Sequence, residues 1–192
     1  MVSADQNPFR VARIEALPYR APDLDWEAFI GRIAAPGVRG AIVGPHGSGK
    51  TTLLLEAEAR LEARGIPVVY VFLNEEMPRK FAAARAAIHA APSDCVLFLD
   101  GAEQLGPIAW RRIRWRARRF RGFVITVHRP GRLPALYTAR TGEALLRELL
   151  QQLAPADCER LWPRAREEFA RNGGNIREVF FALYDFCARD GG

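Results

Sequence analysis

GAIVGPHGSGKTTLLLEAEARL, residues 40–61, decides how the rest of the chain is read. A short apolar run enters a glycine-rich turn, which gives way to Lys50, Thr51, Thr52 and a leucine-rich segment of helical character. Gly44 to Thr51 fit the pattern G-x-x-x-x-G-K-[ST]. Gly44, Gly47 and Gly49 allow backbone N–H groups to turn inward around phosphate oxygens, where a Cβ would crowd them. The N-terminus of the helix that follows adds its dipole and its free N–H groups. Lys50 is long enough to reach the β- and γ-phosphates of a nucleotide, and the Thr51 hydroxyl can ligate Mg²⁺. Pro45, His46, Ser48 and Thr52 complete the nucleotide-binding stretch, with His46 at a permissive position.

Outward from this loop, strand and helix alternate. RGAIVG (39–44) is a strand, 50–64 a helix stopped by Gly65, and PVVYVFL (67–73) a second strand. A helix over 77–90 tolerates Pro78 in its first turn. SDCVLFLD (93–100) is a third strand, 106–120 a helix, GFVITVH (122–128) a fourth strand and LPALYTA (133–139) a fifth. Strands separated by helices predict an α/β fold: a three-layer core with a mostly parallel sheet covered on both faces. Beyond residue 141 the chain turns wholly helical. Pro163 is expected to break the middle helix there, and Gly173-Gly174 to separate it from the last. The predicted organisation is an N-terminal arm and helix over 1–38, an α/β core over 39–140 and a small C-terminal helical lid over 141–192.

A carboxylate at the C-terminal end of a buried strand is where such a sheet holds a ligand. Asp100, closing CVLFLD, fills that place and would support the metal. With GPHGSGKT it resembles the Walker B and Walker A pair of P-loop NTPases. The strand directly after the loop helix lacks the metal aspartate and the next one carries it. That order resembles the ATPase branch with an added central strand, including AAA+ and STAND proteins. No N-K-x-D guanine signature occurs, so the implied cofactors are ATP and Mg²⁺.

In many AAA+ proteins a glutamate directly follows the Walker B aspartate, whereas here that position is Gly101. The resemblance to STAND-type sequences shifts the water-activating role to Glu103, with Glu75 and Glu76 as alternatives. Each of the three also fits an exposed loop carboxylate. Thr126 and His128 resemble the sensor-1 position, and GGNIR resembles the sensor-2 motif, whose arginine, here Arg177, would contact the γ-phosphate. Asn175 as N-cap puts Arg177 in the first helical turn, where the macrodipole disfavours a cation unless an anion is near. Only RPGRL separates the fourth and fifth strands, which leaves no helix for an arginine finger; Arg129 or Arg132 would have to act between subunits of a homo-oligomer.

The chain has 192 residues, a formal charge of +6 and three cysteines without metal-ligand spacing. An odd cysteine count, no apolar leader in MVSADQNPFR and no run long enough to span a bilayer predict a reduced cytoplasmic protein without a membrane partner. Of its 28 basic residues only Lys50 and Lys80 are lysine, and seven arginines crowd residues 111–121. On a helix, Trp110, Ile113, Ala117 and Phe120 form the stripe that faces the sheet. Trp115 then points away, among Arg111, Arg112, Arg118 and Arg119. An exposed indole among guanidiniums suits nucleic acid or an acidic protein partner, although such faces are also simply solvated. The whole implies a Mg·ATP-binding P-loop protein, a slow ATPase acting as a molecular switch. The alternatives are an ATP-sensing module without useful turnover and a small P-loop phosphotransferase.

Overall fold

The computed structural model describes residues 7–21, 23–74 and 80–190. It divides into two compact units, one holding Ala21–Gly44 and Lys50–Ala139, the other Pro45–Gly49 with the described residues up to Arg20 and from Arg140 on.

The first unit is an all-parallel five-stranded sheet with helices on both faces. Its strands are β1 (Arg39–Val43), β2 (Val68–Phe72), β3 (Val96–Asp100), β4 (Gly122–Val127) and β5 (Ala135–Thr138), in the order β2-β3-β4-β1-β5. β4 therefore lies between the strand that leads into the loop and the strand that ends in Asp100. β3 and β4 are buried along their whole length, as their continuous apolar sequences require.

Successive residues of a strand point to opposite faces, so each strand supplies two layers. Ala41, Leu97, Leu99, Phe123 and Ile125 pack against helices α4 (Lys80–Ala90) and α5 (Pro107–Arg116), which contribute Ala84, Ile88 and Ile113. Ile42, Phe98 and Val124 on the alternate positions are equally buried, with α2 (Trp26–Ala34) and α3 (Lys50–Glu62) bringing Ile30, Ile33, Leu53 and Leu54 to the core. α3 stops where expected: Gly65 has φ +71°, and the Ile66 N–H returns to the Leu61 carbonyl at 3.0 Å. The helix expected over 106–120 ends its α-helical part at Arg116 and continues as a 3₁₀ turn over Ala117–Arg119. Residues 77–79 of the expected 77–90 helix fall outside the described residues.

The second unit is a helical cluster of α1 (Val11–Glu15), α6 (Glu143–Leu153), α7 (Cys158–Arg171) and α8 (Ile176–Asp190). Its core joins Leu146, Leu150, Leu161, Val179 and Leu183, and it takes in Phe9, stacked on Phe180 with centroids 5.8 Å apart. The expected break at Pro163 does not occur, since α7 runs through it. A proline there forfeits one backbone hydrogen bond. Burial of Cys158, Leu161 and Ala165 on one face holds the helix together regardless. Gly173 and Gly174, at φ +59° and +85°, end α7 as expected. Among the described residues no helix is long and apolar enough to cross a membrane, and the three cysteines are buried and outside any disulfide.

Candidate functional site

Parallel register puts Tyr70 of β2 opposite Phe98 of β3, and Phe98 opposite Val124 of β4. Two residues further along, on the same face, stand Asp100 and Thr126. Their side chains meet there with Thr51 from the first turn of α3. Thr51 Oγ1 and the Tyr70 hydroxyl both donate to Asp100 Oδ2, at 2.8 and 2.7 Å. Thr126 Oγ1 donates to Asp100 Oδ1 at 2.5 Å and accepts from the Gly101 N–H at 2.8 Å. Asp100 is 4% exposed and Thr126 1%, so the carboxylate itself is nearly closed to bulk water, while Tyr70 is half-buried and Thr51 exposed. Burial beside Asp100 pushes the Tyr70 phenol far above its ordinary range, which keeps it a proton donor.

Lys50 is buried with them. Its Nζ donates to the Gly44 carbonyl at the end of β1, at 2.8 Å. Loss of hydration lowers its pKa, and the nearby charges of Glu103 and Asp100 partly restore it.

Gly101 explains why no carboxylate directly follows Asp100. It has φ +81°, and a Cβ there would overlap the Leu73 carbonyl oxygen of the neighbouring chain segment. No L side chain fits this turn without strain. The chain instead passes through a 3₁₀ turn, Ala102–Gln104, which presents Glu103. Glu103 Oε1 stands 3.0 Å from His128 Nε2, just past the end of β4. Two residues that sequence reasoning had placed in separate roles are thus one pair. Arg132 also faces Glu103, but it donates to the Leu105 carbonyl at 2.7 Å and its guanidinium lies over the Trp110 ring. No helix forms over 128–134. Glu75 and Glu76 lie outside the described residues.

The loop residues Pro45–Gly49 belong to the helical unit. Gly47 and Gly49 have φ of +69° and +77°, and Ser48 Oγ donates to the Pro45 carbonyl at 2.8 Å. A Cβ on Gly47 would overlap Oδ1 of Asn175, and one on Gly49 would crowd the Tyr19 ring. Asn175 Oδ1 caps α8 as expected, accepting from the N–H groups of Arg177 and Glu178 at 3.1 and 3.3 Å. Arg177 places its guanidinium over Phe181, 5.5 Å from the ring centroid. His46 is exposed.

On α5 the expected stripe is buried: Ile113, Ala117 and Phe120 are in the core, and Trp110 stacks on Phe123. Trp115 is 67% exposed. Arg119 also has partners within the fold. Its Nη2 donates to the carbonyls of Ile88, His89 and Ala91, so its charge already serves the C-terminus of α4. Arg121 does the same for α2 through the Ala34 carbonyl. Arg111, Arg112 and Arg118 remain exposed. Tyr70 is the site residue that sequence reasoning missed. Its only signal is the period of two from Asp100 across the β2–β3 register, which a sequence does not disclose.

No protein-family model and no curated protein matches this chain. Among solved structures it is similar to a single-residue variant of RuvB from Thermotoga maritima, at 17% identity over 84% of this chain, TM-score 0.46. A second structure of that protein, described as a Holliday junction branch migration motor, gives 17% identity over the same 84%, TM-score 0.44. PCH-2 from C. elegans is 13% identical over 78% of this chain, TM-score 0.47. The chain spans 65% of the length of either RuvB structure and 62% of PCH-2. These are distant likenesses, and the fold assignment rests on the strand order and the loop described above.

Proposed function

We propose that this protein binds Mg·ATP and hydrolyses it slowly, as a P-loop switch of the AAA+ or STAND kind. The observation that carries this is the 2.8 Å hydrogen bond between Thr51 and Asp100. It joins the hydroxyl that follows the loop lysine to the carboxylate that ends β3, two hard oxygen donors suited to magnesium. Among the described residues no group of three or more His, Cys, Asp or Glu side chains forms a metal site. A magnesium ion would be held by Thr51, by Asp100 and by the nucleotide's own phosphates. When bound, it would neutralise charge developing on the phosphates.

The chain's own groups divide the remaining work. Backbone N–H groups of residues 44–52 and the Lys50 ammonium hold the phosphates. Lys50 leaves the Gly44 carbonyl for the γ-phosphate, regaining a full charge partner. Glu103 orients a water and takes its proton as the oxygen attacks the γ-phosphorus, with ADP leaving. His128 holds the Glu103 carboxylate in place. Thr126, committed to Asp100 and Gly101, acts on the nucleotide only through them. Arg177 serves as the sensor of the γ-phosphate. A second reading, ATP sensing without useful turnover, draws support from Gly101, whose geometry forbids the usual base. The arginine-rich helix supports an anionic macromolecular partner, nucleic acid or acidic protein.

Steady-state ATP turnover with Lys50→Ala as the blank tests the proposal. Expected is measurable Mg²⁺-dependent turnover that is abolished in the blank and falls at least about a hundredfold in Glu103→Gln, with ATP binding retained in the latter. Binding without turnover in the wild type would leave the sensor. Failure to bind ATP would remove both.

A further inference from the structure

The positive charge of this protein is concentrated in one place. Residues 111–121 carry seven arginines and no acidic residue, while the whole chain has a formal charge of +6, so everything else sums to −1. Arg119 and Arg121 are consumed by carbonyls at the ends of α4 and α2. Among the described residues, the guanidiniums of Arg111, Arg112, Arg114, Arg116 and Arg118 make no hydrogen bond or ion pair. A solvated helix face ordinarily mixes its signs, with acids four residues from bases. This one does not.

Two large apolar side chains stand on the same face. Ile108 and Trp115 are 68% and 67% exposed, and seven residues apart they lie one above the other on α5. Beside Trp115 opens a groove of about 490 Å³, walled by Ile88 and His89 of α4 and by Arg116, Arg118 and Arg119. A flat π-surface at the mouth of a cavity rimmed by guanidiniums matches a planar base attached to phosphates. A carboxylate-bearing peptide would satisfy the arginines but leave the indole without a planar partner. Bases in a duplex are already stacked on each other, so the indole selects unpaired ones.

We propose that this face is a binding site for single-stranded nucleic acid, with a base stacked on Trp115 in the groove and the flanking phosphates paired with Arg111, Arg112 and Arg118. It rests on the proposed anionic partner and is independent of the reaction at the phosphate loop.

The test is fluorescence anisotropy of labelled dT20 and rU20 with the full chain and no ATP, titrated at several salt concentrations. The same tracer is competed with an abasic oligonucleotide of equal length and with polyglutamate. Trp115→Ala is expected to weaken binding about tenfold without changing the salt slope. The triple variant Arg111→Ala/Arg112→Ala/Arg118→Ala is expected to flatten that slope by about two. The abasic chain should compete about tenfold less well than dT20. Equal binding by Trp115→Ala and the wild type would overturn the stacking site. Competition by polyglutamate as strong as by dT20 would replace nucleic acid with an acidic protein. Binding of none of these would remove the anionic partner as well. ATP binding by the same preparation shows that the protein is folded and leaves the phosphate-loop proposal judged separately.

Discussion

At the end of β3, Asp100 is nearly sealed from water and accepts from Thr51, Tyr70 and Thr126. On the outer face of α5 and the 3₁₀ turn that follows it, Arg111, Arg112 and Arg118 are exposed around an exposed Trp115. Both regions lie in the sheet unit, and both are dense in polar groups. In the first, every polar atom is committed to a neighbour, so chemistry and stability rest on the same bonds. In the second, the three guanidiniums make no hydrogen bond or ion pair among the described residues. A buried polar group must be satisfied within the protein, whereas an exposed one can be kept for something else. Substitutions should therefore cost stability at the first site and only binding at the second.

The largest effect is expected where the backbone itself shapes the cluster. Gly101→Ala places a Cβ against the Leu73 carbonyl oxygen at φ +81°, at a cost of about 3 kcal/mol or more. In a chain of this size that lowers Tm by roughly 6 °C or more. Gly101→Glu, which would introduce a carboxylate directly after Asp100, should unfold the turn and raise no turnover. Thermal melts followed by circular dichroism would check both. A Gly101→Ala variant melting within 2 °C of wild type would show the turn to be adaptable and the comparison too sharply drawn.

Next comes Asp100→Ala. It leaves the hydroxyls of Tyr70 and Thr126 buried without their acceptor and deprives Lys50 of a compensating charge. A loss of about 2–4 kcal/mol is expected in urea unfolding, together with loss of Mg²⁺-dependent ATP binding. Tyr70→Phe isolates one part of this. It removes a single donor, and a loss of about 1 kcal/mol is expected. If Tyr70→Phe cost as much as Asp100→Ala, the phenol rather than the carboxylate would be the hub. The triple alanine variant on α5 provides the contrast, with unfolding free energy expected within about 0.5 kcal/mol of wild type.

The two regions also differ in how much of them could be seen in the sequence. The loop, the strand ending in Asp100 and the parallel α/β core follow from local pattern, because glycine spacing and continuous apolar runs are local facts. The apolar stripe of α5 followed likewise from helical periodicity. Tyr70 did not, since its hydroxyl reaches Asp100 only through the pairing of β2 with β3. Nor did the Glu103–His128 pair, which joins the 3₁₀ turn after β3 to the residue after β4. Pro163 misled because local propensity says nothing of the burial that holds α7 together. The contacts of Arg119 were hidden for a related reason: its partners are carbonyls at the C-terminal end of α4, and main-chain acceptors leave no mark in a sequence.

The smallest effects come from two adjacent arginines, Arg118 and Arg119. They share charge, exposure and a place in the 3₁₀ turn that follows α5, so composition alone treats them as interchangeable. Arg119 Nη2 donates to three carbonyls at the C-terminal end of α4, two of them at 2.6 Å, whereas the Arg118 guanidinium lies on the rim of the groove beside Trp115. A cation at a helix C-terminus stabilises by some tenths of a kcal/mol to about 1 kcal/mol. Arg119→Ala should therefore lower Tm by about 1–4 °C. Arg118→Ala should leave Tm unchanged and weaken dT20 binding severalfold. Because Arg119 lines the same groove, its loss should weaken binding only as far as α4 frays. Arg119→Lys, which keeps the charge on a shorter and more strongly hydrated head, should recover part of the binding and little of the stability. If Arg118→Ala lowered Tm as much as Arg119→Ala, the outer face of α5 would be structural after all, and its excess charge would need no partner to explain it.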